Sequence, residues 1–278
     1  MDIGPQSKSG NNFTKKCRLL QSKYRRDTLK VDYGVGPNFN SKNLQGNMLT
    51  NGKNTGLNFL SKTAFDFAKQ KALDKQINKN LTIDEFRLFN NMLSSMPMCF
   101  NLFSDLRQYL LEDKDETSRI IKMMFSELDW IETTEYIDVE FIPDPIEYYT
   151  NDKTAFDAII LVKDKNGKKG LVTIETKYTD LLGSNSSANI ELKNKIVKED
   201  NLFNEAYSIE LSQKGYKQIH RNYLLTYAYA KRNKIQNFIN VVISPKEDLI
   251  SEKEISEVKQ ALSKNKDSII KIPLAIVR

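Results

Sequence analysis

Beyond Leu60 the apolar positions follow first a helical period, then a strand period, and the change between them divides the chain. Phe65, Ala68 and Ala72 recur at helical spacing and predict a helix over 60–76. A second helix starts at Asp84, a residue suited to capping, and runs through Phe86, Phe89 and Met92 until Pro97 breaks or kinks it. Further helices are expected over 100–111 and over 117–130, the latter with Ile120, Met124 and Leu128 on one face. Residues 135–142 then alternate and read as a strand closed by Pro143 and Pro145. AFDAIILV within 154–163 is a strand apolar on both faces, 164–170 a turn, and LVTIETKY at 171–178 the next strand. The polar stretch 183–189 reads as a loop, and helical sequence resumes over 199–234 with room for two helices. FINVVIS at 238–244 is a buried strand stopped by Pro245, followed by a helix near 252–263 and a strand near 268–277.

Residues 1–58 break this regularity. They are rich in Gly, Asn, Ser and Lys and read as an irregular arm with one short helix near 15–28. Gly34, Gly36, Gly46, Gly52 and Gly56 oppose long regular elements there. The expected division is an arm at 1–58, a helical region at 59–115 packed on the core, and the core itself at 116–278. Within that core the order is helix, three strands, helix, strand. The first three strands form a meander, and the last returns through a helical crossover that suits a strand parallel to its neighbour. The predicted class is α/β (α+β): a mixed central sheet flanked by helices, αβββαβ, with a mainly helical N-terminal extension.

Composition narrows the chemistry. The chain is 40% hydrophobic and 28% charged, which fits a folded core. A net charge of +6 and a pI near 9.0 suit a polyanionic partner, DNA or RNA, as well as a merely solvated Lys-rich surface. There is one histidine, His220, and two cysteines, Cys17 and Cys99. A structural zinc site cannot be built from these alone, and a Ser-His or Cys-His mechanism would have to use His220. Acid, base and metal chemistry therefore rests on carboxylates, lysines and hydroxyls, which favours Mg²⁺ or Mn²⁺ over zinc. The distant cysteines fit a reduced, cytoplasmic setting. The N-terminus is polar, unlike a secretory signal, and no run approaches a membrane span.

One carboxylate stands out because it interrupts an apolar strand. Asp157 is costly to bury without a partner. On the next strand Glu175 and Lys177 lie two apart and share a face. The intervening turn decides whether Asp157 joins them. A two-residue Asn166-Gly167 loop would set Asp157 opposite Thr176, on the wrong side, whereas an odd loop sets it on the face of Glu175 and Lys177. An odd loop, three residues or a bulged equivalent, is expected. Asp157 and Glu175 would then offer oxygen ligands to Mg²⁺, with the backbone carbonyl of Thr176 as a third. Lys177 can orient a water, help deprotonate it, or stabilise developing negative charge. The alternative is a plain salt bridge from Lys177 to one acid at a strand end.

FDAIILV, a turn and LVTIETKYTD together resemble the core of the PD-(D/E)XK nuclease superfamily, the restriction-endonuclease-like fold. The first acid of that motif falls on Asp157 and its (D/E)XK on Glu175-Thr176-Lys177, while Phe156 holds the place of the motif's proline. Residues 18–26, 56–60, 93–103 and 217–225 further resemble blocks of a bacterial family of restriction-type endonucleases. The resemblance implies a Mg²⁺-dependent endonuclease acting on DNA, with Mn²⁺ able to substitute, in a restriction or defence role. It also implies an assisting Gln on the helix after the motif strand, for which Gln218 is the better candidate and Gln213 the other. Arg221, Lys168 and Lys169 are candidate phosphate contacts, and Glu127 a candidate accessory acid on the first core helix. The arm and helical region would help clamp DNA or form a homodimer. Two competing functions are a repair or recombination nuclease, structure-specific or exonucleolytic, and a non-catalytic nucleic-acid-binding subunit.

Overall fold

The computed structural model describes residues 1–179 and 186–274. They form two compact units, Met1–Asp105 with Thr176–Asp180, and Leu106–Glu175 with Leu181–Arg278. No helix of the described residues is long and apolar enough to cross a membrane.

In the first unit, α1 (Asn12–Tyr24) starts at Asn11, whose side-chain oxygen accepts from Thr14 N at 2.8 Å. It continues into a π-helical turn, Arg25–Leu29, and an antiparallel hairpin of β1 (Tyr33–Val35) and β2 (Leu44–Leu49). The stretch expected to be irregular is therefore folded, and Arg25 is the reason. Its guanidinium is fully buried and donates to four backbone carbonyls: Gly46 (2.7 Å), Asp2 (2.8 Å), Ile3 (3.1 Å) and Val31. A buried charge needs such partners, so one side chain gathers the N-terminal segment, the turn and the hairpin. Gly46 lets the N-terminal segment lie close, since a side chain there would collide with the Ile3 carbonyl. Hydrophobic periodicity carries no trace of a core built this way.

The unit continues through α2 (Gly52–Thr55), α3 (Lys62–Ile77), α4 (Glu85–Asn90) and the first part of α5 (Ser95–Glu112). Asp84 caps α4 as expected, accepting from Arg87 N at 3.1 Å. The helix stops at Asn90, and Pro97 does not break it. Pro97 lies instead in the first turn of α5, where its missing N–H costs nothing. Phe59 packs edge-on against Phe89 and Phe100, and Asn101 ties residues 58–60 to α5 by accepting from Leu60 N (2.8 Å) and donating to Asn58 O (3.1 Å). Residues on both sides of position 58 thus belong to one unit.

The second unit holds α6 (Lys114–Met124), β3 (Ile131–Phe141), β4 (Phe156–Asp164), β5 (Lys169–Thr176), α7 (Ile190–Glu199), α8 (Glu205–Lys214), α9 (Gln218–Arg232), β6 (Asn237–Pro245), α10 (Leu249–Ala261) and β7 (Ile269–Leu274). The sheet runs β3-β4-β5-β6-β7, antiparallel across the first three strands and parallel between β6 and β7. It is the expected mixed sheet flanked by helices. α6 ends at Met124, short of residue 130; α8 and α9 are the two helices for which 199–234 had room, and α7 precedes them. Residues 183–185 of the expected loop and 275–277 of the expected last strand lie outside the described residues.

α9 is buried along most of its length. Ile219, Tyr223 and Leu224 pack with Val242, Ile255 and Val258, while Leu225 and Ala228 pack with Phe156, Ile159 and Leu171. This two-sided burial fixes the rotation of α9, and hence where its polar side chains point.

Candidate active site

The β4–β5 hairpin turns through three residues, 165–167, the odd loop that the parity argument requires. Asp164 N donates to Lys168 O (2.8 Å) and Gly167 N to Asp164 O (2.9 Å), with Gly167 in the left-handed region at φ 73°. The carboxylate of Asp164 organises the turn, accepting from Asn166 N (2.9 Å) and Lys168 N (2.8 Å), and from Asn237 Nδ2 (3.0 Å). The register pairs Ile160 with Val172 and Ala158 with Ile174. One step further sets Asp157 opposite Glu175, on the same face.

Glu175 is 2% exposed, and α9 holds it by both oxygens. Gln218 Nε2 donates to Oε1 at 2.8 Å, and Asn222 Nδ2 donates to Oε2. The two amides are four residues apart and so share one helix face. The same seam continues two residues down β5, where Thr173 Oγ1 and Thr226 Oγ1 lie 2.7 Å apart. One amide on each oxygen fixes the carboxylate's plane.

A family model of the PD-(D/E)XK nuclease superfamily matches residues 8–275. The chain belongs to this superfamily. No curated protein and no solved structure matches it.

PD-(D/E)XK nucleases generally use divalent metals. Among the described residues no group of three or more His, Cys, Asp or Glu is placed to hold one. Asp157 and Glu175 stand opposite each other on adjacent strands and carry oxygen donors of the kind a hard divalent cation takes. Like charges directly opposite on neighbouring strands repel, and a cation between them relieves that repulsion. Asp157 is half-buried. Thr176 and Lys177 follow Glu175 along the chain and fall in the first unit, where Thr176 Oγ1 donates to Ser95 O at 3.4 Å and Lys177 is 5% exposed.

The remaining superfamily candidates scatter. Arg221 is half-buried, and its Nη1 donates to Tyr216 O at 2.8 Å. Burial lowers its pKa, while Asp152 and Glu175 act in the opposite sense. Lys168 and Lys169 are exposed at the turn, and Lys169 is roughly 20 Å along β5 from Glu175 at about 3.3 Å per residue. Glu127 is exposed in the turn after α6, not on the helix, and precedes the end of β3 that pairs with Asp164. The structure brings neither the two lysines nor Glu127 to the carboxylates.

His220 is 1% exposed, stacked on Tyr207 at 6.1 Å, with no hydrogen-bond partner on either ring nitrogen among the described residues. Burial, reinforced by Lys217, pushes its pKa down to about 4. It is neutral near pH 7 and packs against Tyr207. Asn222 is the contact that sequence reasoning missed. Its only signal was the spacing of four from Gln218 on a predicted helix.

Proposed function

We propose that this chain is a metal-dependent nuclease that hydrolyses DNA phosphodiester bonds, an endonuclease of restriction or defence type. The observation that carries the reading is Glu175, clamped by Gln218 and Asn222 and set opposite Asp157, the two residues on which the sequence resemblance puts the motif's acids. The resemblance of residues 18–26, 56–60, 93–103 and 217–225 to restriction-type endonucleases supports the finer role.

Asp157, Glu175 and the Thr176 carbonyl would hold the cation, Mg²⁺ by donor chemistry. When bound, it would supply Lewis acidity to the scissile phosphate and acidify an attacking water. Gln218 and Asn222 keep Glu175 from swinging away from Asp157, so the donor set is prearranged. Lys177 is tethered two residues, at most about 7 Å of chain, from Glu175. Its ammonium orients the water and balances negative charge on the phosphate. Retention of Asp157, Glu175 and Lys177 argues against a non-catalytic subunit.

Supercoiled, relaxed circular and linear DNA of one sequence test the reading. An endonuclease nicks or linearises the closed circle. Digestion of the linear form alone, with circles spared, would replace the restriction-type reading with an exonuclease.

A further inference from the structure

The charge of the chain is unevenly placed. Its first 60 residues hold ten Lys and Arg against three Asp and no Glu, a balance of +7. The other 218 hold 32 against 33, a balance of −1, so the entire net charge of +6 resides in the segment before α3. Polyanion binding follows such local excess rather than the average.

Within that segment the N-terminal residues and α1 enclose a cleft of about 420 Å³ lined by Gln6, Ser7, Lys8, Lys15, Arg18 and Leu19. Its charged groups are all cations. Neither Lys8, Lys15 nor Arg18 pairs with a carboxylate among the described residues, whereas nearby Arg26 and Lys53 are neutralised by Asp27 and Glu85. Lys15, Arg18 and Leu19 share a face of α1, and Lys8 approaches from the other wall.

Arg18 is 6% exposed and preset. Nη1 donates to Ser7 O (2.7 Å) and Ser9 O (3.1 Å), while Nε has no partner. The opposite wall is held by Gln6, which donates to Gly4 O (3.1 Å) and Ser22 Oγ (3.0 Å). A cleft with an anchored guanidinium and two unpaired ammonium groups matches phosphodiester oxygens in charge.

We propose that Lys8, Lys15 and Arg18 form a nucleic-acid backbone site, separate in residues and chemistry from the carboxylate pair, that binds phosphates without regard to sequence. It rests on the nuclease reading for the identity of the polyanion. Each lysine that meets a phosphate contributes close to one unit to the slope of log affinity against log salt.

The test is a salt titration of full-length protein on a 20-base-pair DNA duplex and an RNA duplex of equal length, in EDTA. Lys8→Ala/Lys15→Ala should lower the slope by about 2 on both duplexes. Lys264→Ala/Lys266→Ala, an exposed pair elsewhere, should leave it unchanged. An unchanged slope for the first pair, equal losses for both pairs, or a loss on one duplex alone overturns the proposal. Wild-type protein that binds and cuts with the K8A/K15A slope unchanged would remove this site and keep the nuclease. Wild-type protein that binds neither duplex would remove both.

Discussion

The two ends of the β4–β5 hairpin each carry a buried acid, satisfied in opposite ways. At the turn, Asp164 accepts from Asn166 N and Lys168 N within its own loop, and from Asn237 at the start of β6. Its bonds shape the backbone, and the register of the hairpin follows. At the other end Glu175 is held by side-chain amides of α9, 43 and 47 residues away in sequence. Nothing in that arrangement shapes a turn. It fixes a carboxylate opposite a second one, Asp157, across the strand pair. Local satisfaction at Asp164 shapes a loop, and distant satisfaction at Glu175 fixes a carboxylate against a helix.

Substitutions at the two ends should therefore fail differently. Asp157→Ala should cost cleavage about 10³-fold or more, several kcal/mol of lost electrostatic catalysis, without lowering the melting temperature. A variant that melts early and cuts normally would invert the comparison.

α9, which holds only the Glu175 end, should respond to acid. The folded pKa of His220, about 4, lies below the ordinary 6.5. The unfolded chain thus takes up the proton first, so stability is full above pH 6.5 and falls as pH drops towards 4. The loss is up to roughly 3 kcal/mol at 1.36 kcal/mol per unit. His220→Phe should flatten that part of the profile in urea unfolding at stepped pH. An unchanged profile would assign the acid sensitivity to other groups.

Asp164→Ala strands the amides of the turn and should cost about 2 kcal/mol of stability in denaturant unfolding, with the cleavage rate retained below the transition. Loss of cleavage in a folded D164A protein would mean that the turn also serves the site. The smallest effect belongs to Asn222→Ala. It should raise the metal concentration for half-maximal cleavage about tenfold, with the rate at saturating metal largely kept. A drop in that saturated rate at unchanged metal dependence would mean that Asn222 acts in the chemistry rather than in positioning Glu175.

The second unit was legible because its signals are periodic. AFDAIILV and LVTIETKY show strand alternation or continuous apolarity, and the side-chain period of two turned loop parity into a statement about Asp157 and Glu175. The first unit was not legible beyond its helices. Arg25 organises it by reading backbone carbonyls, and carbonyls are common to every residue. Asn222 was hidden for a related reason. On a buried helix an amide has no period of its own, and only the position of its partner, 47 residues upstream, gives it meaning. Glu127 was misplaced because α6 ends at Met124, six residues before the expected end at 130, a boundary that propensity fixes poorly.

The central claim is that the carboxylate pair and Lys177 cut DNA through a divalent cation. Its most direct test is plasmid cleavage by the wild-type chain, Glu175→Gln and Lys177→Ala in Mg²⁺, Mn²⁺ and EDTA. The account predicts nicking or cutting in either metal, none in EDTA, and none by either variant although both remain folded. Cleavage that persists in EDTA, or survives in both variants, would contradict it.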